Sequence, residues 1–172
     1  MSFSVTVSWP PATHGSHHTA QNSGPLQREP LAKDSGTGDE KISRDHQLSF
    51  ASGQVVAGSA APEYQGSQEK VNPEESLLSA LAACHMLSFL TIVAKKRLTL
   101  LSYRDEARAE LGRNEKGQMA ITHIALTPEV EMAQPLSEEQ LAKLHALAHK
   151  HCFIANSLAK EIAIEIAPRQ KR

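Results

Sequence analysis

The stretch from Val71 to Arg97, VNPEESLLSALAACHMLSFLTIVAKKR, constrains the fold of this chain more than any other part of it. Asn72 stands as an N-cap, Pro73 at the first helical position and Glu75 three residues past the cap, the arrangement of a capping box. Lys95, Lys96 and Arg97 close the run, where positive charge opposes the helix macrodipole. From Leu77 to Ala94 the residues are apolar almost without a break, so the predicted helix is buried on most sides. A chain of 172 residues builds one domain with a sizeable core, and covering such a helix takes a sheet together with a partner helix or a second subunit. A homodimer is therefore expected. Cys84, one of only two cysteines, sits in mid-helix.

The flanking segments supply the sheet. Ser2 to Trp9 alternates Phe3, Val5, Val7 and Trp9 with small hydroxylated residues, the period of a half-buried strand. Residues 10–39 change character, with Pro-Pro, several Gly and Ser and no apolar period, and read as a long loop or partly disordered insertion in a single domain spanning 1–172. Glu40 to Ala51 alternates through Ile42, Arg44, His46, Leu48 and Phe50; Gly53 permits a turn and Gln54 to Ser59 reads as the hairpin partner. Leu98 to Arg113 and Gln118 to Met132 form a second, longer one-faced hairpin, with a change of phase near His123 and Ile124 that suits a bulge. Ser137 and Gln140 make a second capping box ahead of the stripe Leu141, Leu144, Leu147 and Ala148, and Glu161 to Ala167 alternates as a terminal strand. Strands, helix, hairpin, helix, strand is an α+β order, with helices laid against a mostly antiparallel sheet.

A formal net charge of -1 gives no reason to expect nucleic acid or an anionic membrane as partner. The helical run is interrupted by Ser, His and Thr, which speaks against a membrane span. Met1 to Pro10 carries neither a basic residue nor a long apolar core, so no secretory leader is read there and a cytoplasmic location is expected. In that compartment structural disulfides are rare, and two cysteines are either inert core thiols or redox or metal chemistry.

The metal reading has two candidate clusters. His14, His17 and His18 fall in the loop, where a solvated, low-complexity segment is the simpler account. His145, His149 and Cys152, with His151 beside them, can share a helix face at spacings of four and three, a pattern that fits zinc; no further ligand pattern appears, and histidines on a solvated helix face are the expected reading. The redox reading needs a thiol beside a cation and a second thiol within reach. Cys84, Arg44 and Cys152 supply those types, with Glu74 to orient the arginine: at 100° per residue Glu75 lies about opposite Cys84, whereas Glu74 is about 80° from it. Arg44 reads otherwise as a strand-end residue reaching water.

NPEESLLSALAACHM, AHKHCFIANSL and the upstream SRDH resemble the OsmC/Ohr family of osmotically inducible and organic hydroperoxide resistance proteins, over the first strand and from Glu40 to the C-terminus. The resemblance implies a two-layer α+β fold in which long central helices pack between sheets of an intertwined homodimer. It implies thiol-dependent reduction of organic hydroperoxides, with Cys84 as peroxidatic thiol, Cys152 as resolving thiol, and Glu74 and Arg44 as site residues. An external dithiol recycles such an enzyme, and neither a bound cofactor nor a metal is implied. His85 after Cys84 and Phe153 after Cys152 depart from the best-characterised peroxidases, which carry an aromatic residue and often a proline there, as SRDH departs from their glycine-flanked arginine. A redox sensor and a small-molecule-binding protein without turnover are the alternatives on the same fold.

Overall fold

The element order is strand-rich, then helical, then strand-rich again. The computed structural model describes residues 3–9 and 42–171; the loop expected at 10–39, with its three histidines, lies outside the described residues. Its contacts divide the chain into two compact units, Met1–Asn72 and Pro73–Arg172.

In the first unit β1 (Val5–Ser8), β2 (His46–Phe50) and β3 (Val55–Gly58) form an antiparallel sheet in that order. β1 takes the alternating pattern, yet Val5 and Val7 are 51% and 62% exposed, so this strand's apolar side is left uncovered. The strand expected from Glu40 is shorter than its alternation, because Ile42 to Asp45 run into β2 without ladder pairing. That approach is tied by Trp9 Nε1–H donating to the Ser43 carbonyl at 2.8 Å and by the Lys70–Asp45 ion pair at 2.5 Å. Gly58 lets the two strands close: a Cβ there would stand 2.3 Å from His46 Nε2.

The second unit opens with α1 (Pro73–Lys95), followed by β4 (Leu100–Asp105), β5 (Arg108–Arg113), β6 (Met119–Leu126), β7 (Pro128–Met132), α2 (Glu138–His151), α3 (Phe153–Ser157), β8 (Ala163–Ile166) and β9 (Arg169–Gln170). The long hairpin is present but broken once: β5 pairs with β6 and β4 with β7. The break is pinned by the Thr127 N–H donating to Asp105 Oδ1 at 2.7 Å and its hydroxyl donating to the Glu106 carbonyl at 2.9 Å. A register shift between Glu110 and Leu111 leaves Thr122 as the extra residue of β6, beside the phase change at His123. β8 and β9 join β6 and β7 in parallel, so the sheets are mixed.

α1 is long and apolar enough to cross a membrane by length and composition alone. Here it packs on α2, α3 and the sheet through Leu81, His85, Phe89, Ile92 and Val93. Two apolar clusters result. Phe89, Val130, Met132, Leu141, Leu144 and Ala148 belong to one; Leu81, Ile124, Leu126 and Cys152 make the other. The opposite side of α1, at Ala80, Ala83, Leu87, Leu90 and Ala94, is exposed. α2 starts on both bonds of its capping box, Gln140 N–H to Ser137 Oγ at 3.2 Å and Ser137 N–H to Gln140 Oε1 at 2.8 Å.

Candidate active site around two cysteines

Local helix chemistry brings the cysteines to one place. Cys84, midway along α1, is half-buried and packs against the cluster that contains Cys152. Cys152 is fully buried where α2 ends and α3 begins. Its N–H donates to the His149 carbonyl at 3.1 Å, and its Sγ accepts the Ala155 N–H at 3.5 Å, so the sulfur itself caps α3. Burial pushes the Cys152 thiol up to about 11; the Ala155 N–H works the other way, and the neighbouring Cys84 thiol raises it further. Both cysteines are free thiols. Two sequence-distant sulfurs thus interact directly, one reaching the surface and one sealed.

Cys84 opens on an apolar groove of about 510 Å³ between α1 and α2, lined also by Leu87, Ser88, Thr91, Leu147, His151 and Phe153, with Lys95 and Lys96 further along. Phe153 is 79% exposed and forms a wall of it. The residue after Cys152 was legible as a departure from pattern, but its part in a groove depends on α3, which no sequence period announced.

Glu74 and Arg44 stand differently. Glu74 lies in the first turn of α1. Its azimuth suits Cys84, yet ten residues of helix separate them by about 15 Å along the axis, so one chain does not bring the carboxylate to the thiol. Arg44 is exposed just ahead of β2, in the first unit, and its carbonyl accepts from His46 Nδ1 at 3.0 Å.

The histidines of α2 correct the solvated-face expectation. His151 is exposed, but His145 is 1% exposed and His85 on α1 is 0% exposed. His85 Nε2 and His145 Nδ1 are 3.0 Å apart, so one donates to the other. Phe89 stacks on His145 with ring centroids 4.2 Å apart. Burial, and then the charge of His149, holds His85 down at about 4; burial, and then the charge of His85, holds His145 down at about 3. His145 therefore turns to His85, and among the described residues no group of three or more His, Cys, Asp or Glu side chains is arranged to hold a metal ion.

Residues 66–167, which carry both cysteines, match the family described as OsmC-like protein. The chain belongs to that family. An OsmC-like protein of unknown function from Vibrio cholerae is 32% identical to it, with 99% of each chain covered and a TM-score of 0.76. The organic hydroperoxide resistance protein of Elizabethkingia anophelis shares the OsmC-like fold at 15% identity, with 74% of this chain and 90% of that one covered and a TM-score of 0.65. So does the organic hydroperoxide resistance protein OhrB of Bacillus subtilis, at 18% identity, 74% and 91% coverage and a TM-score of 0.54. No curated protein matches the chain. Family and fold agree with the α+β expectation, and structural neighbours of this family include proteins named for hydroperoxide resistance.

Proposed function

We propose that this OsmC-like protein is a thiol-dependent peroxidase that reduces organic hydroperoxides. The observation that supports it is the thiol pair: Cys84 at the mouth of an apolar groove, with the sealed Cys152 sulfur beside it. The groove suits a hydroperoxide with an apolar substituent better than hydrogen peroxide, because Leu87, Ile92, Leu147 and Phe153 in its walls gain from burying hydrocarbon. The Cys84 thiolate attacks the distal peroxide oxygen, the O–O bond breaks, and the alkoxide leaves with a proton as the alcohol. Cys84 is then a sulfenic acid. Cys152 displaces its hydroxyl as water, forming the Cys84–Cys152 disulfide, and an external dithiol reduces that bond by exchange.

The working unit is a homodimer. An antiparallel second copy of α1 crossing near Ser79 brings Glu74 of the partner subunit beside Cys84, which the 15 Å rise forbids within one chain (about 1.5 Å per residue). Ser79, Ala80 and Ala83 are small and exposed at that crossing, and Leu87 and Leu90 continue the apolar face. Arg44 is assigned as the site cation from the resemblance of SRDH, and Arg44→Ala tests it by a loss in kcat/KM. A redox sensor is the second reading, favoured by the protonated, buried Cys152, which slows disulfide formation unless its proton is removed.

One equivalent of an aryl hydroperoxide, followed by alkylation and peptide mass analysis, tests the cycle. A Cys84–Cys152 linked peptide in wild type and a trapped Cys84 sulfenic acid in Cys152→Ser are expected; oxidation elsewhere, or none, rejects the reading.

A further inference from the structure

Strand-to-strand passages coincide at one level of the second unit. β4 passes to β5 at Glu106 and Ala107, β6 to β7 at Thr127, and β8 to β9 at Ala167 and Pro168. There the sheet β4-β7-β9 gives way to the sheet β5-β6-β8. The crease between them is pinned. The Thr127 N–H donates to Asp105 Oδ1, its hydroxyl donates to the Glu106 carbonyl, and the Ala167 N–H donates to the Leu126 carbonyl at 2.9 Å. The crease holds a hollow of about 440 Å³, lined by Arg104, Glu106, Arg108, Thr127, Glu129 and Arg169.

Strand alternation sets these side chains apart from the thiol pair. Tyr103 and Val130 pack on the core cluster around Phe89, so their strand neighbours Arg104 and Glu129 take the opposite face of the sheet. The ladder pairs Arg104 with Glu129 and Glu129 with Arg169, which makes one row across β4, β7 and β9. On an outer sheet face such a row ordinarily neutralises itself by cross-strand pairing. This one does not. Among the described residues Arg104 Nη2 donates instead to Glu106 Oε1 at 2.7 Å, and Arg108, Glu129 and Arg169 form no ion pair. The backbones at Arg104 and Arg169 stand about 10 Å apart, two strand spacings of about 4.8 Å, a span that two arginine side chains close onto one anion.

Three guanidiniums thus line one hollow, and a single carboxylate, that of Glu106, is taken up by one nitrogen of one of them. A carboxylate ligand has two oxygens and suits one arginine fork. A phosphate monoester has three terminal oxygens and a charge near −2 at neutral pH, which suits three. The volume falls in the range of small-molecule sites, about 300–1,000 Å³, so an organic part fits beside the phosphate.

We propose that the crease at Thr127 binds a small phosphorylated molecule, with Arg104, Arg108 and Arg169 on the phosphate and Glu129 accepting hydrogen bonds from hydroxyls of the remainder. The site is separate from the two cysteines and does not rest on the peroxidase reading.

The test titrates ribose 5-phosphate, ribose, inorganic phosphate and citrate into the full chain at constant ionic strength, followed through amide resonances of an isotope-labelled sample. Saturable shifts at residues 104–108, 127–129 and 169 are expected with ribose 5-phosphate and none with ribose. Arg108→Gln and Arg169→Gln should each weaken binding roughly 10-fold or more, the worth of one charge-assisted hydrogen bond. Lys160→Gln, which removes an exposed cation outside the hollow, should leave it unchanged. Glu129→Gln should tighten inorganic phosphate by removing a like charge, yet weaken ribose 5-phosphate relative to it; an unchanged ratio contradicts the role given to Glu129. No saturable shift in wild type overturns the site, as does an undiminished response in the Arg108→Gln/Arg169→Gln double variant. Citrate bound more tightly than ribose 5-phosphate at the same residues overturns the phosphate assignment. Circular dichroism checks that each variant is folded. Were one not to fold, wild type decides alone: shifts confined to the crease support the site, and shifts spread over the lysine-bearing surface overturn it.

Discussion

At the scale of single residues, the pair His85–His145 sets how the protein responds to acid. Both histidines are held well below the ordinary value of 6.5, to about 4 and about 3, first of all by burial. Well above pH 6.5 both states carry them neutral, so their contribution to stability is constant there. As pH falls from 6.5 toward 4 and then 3, the unfolded chain takes up protons that the folded chain refuses, and stability drops. Urea unfolding between pH 7 and pH 5 should show a wild-type slope steeper than that of His145→Gln by up to one proton; identical slopes would mean that His145 does not titrate on unfolding. Little of this was legible beforehand. His145 sits in AHKH, where spacing alone cannot tell an inward ring from a solvated one, and His85 had no visible partner because that partner is on another helix. The angle between Glu74 and Cys84 was readable from helix periodicity, whereas the rise that keeps them apart in one chain received no weight.

Among the elements, local signals carried furthest. The SEEQ box at Ser137 forms with both of its hydrogen bonds, and Ser137→Ala should cost about 1 kcal/mol, read as a lower urea midpoint at constant m-value. No change in midpoint would mean that the cap is redundant with tertiary packing. The start of α1 at Pro73 and the alternating hairpin strands were equally readable, since proline and period-two burial act on nearest neighbours. Three features were hidden: the break of the long hairpin at Thr127, the short helix α3 capped by a cysteine sulfur, and the parallel pairing of β8 and β9. The break and the parallel pairings are fixed by residues far away in sequence, whereas the cap of α3 is a local contact made by a sulfur, a side chain that is not among the usual helix caps. The exposed face of α1 makes its own prediction. Leu87 is 58% exposed on a helix whose other side is core, and Leu87→Glu should shift the protein from dimer to monomer in analytical ultracentrifugation. A wild type that sediments as a monomer would remove the dimer from the account.

For the whole molecule, two features stand out, exposed hydrocarbon in both units and the thiol pair in the second. Val5, Val7, Phe50 and Val55 in the first unit and Leu87 and Leu90 in the second are left exposed. The family was legible from a few short strings around Cys84 and Cys152, because a helix that must be both core and site wall permits few residues at each position. The groove, the sealed state of Cys152 and the His85–His145 contact were not, being products of packing between elements far apart in sequence. The central claim is that Cys84 turns over organic hydroperoxide at the expense of a dithiol. Its most direct test is the rate of cumene hydroperoxide loss with dithiothreitol present, for wild type against Cys84→Ser. The account predicts catalytic loss in wild type and, in the variant, a fall of several orders of magnitude to the uncatalysed background. Equal rates for the two proteins would contradict it.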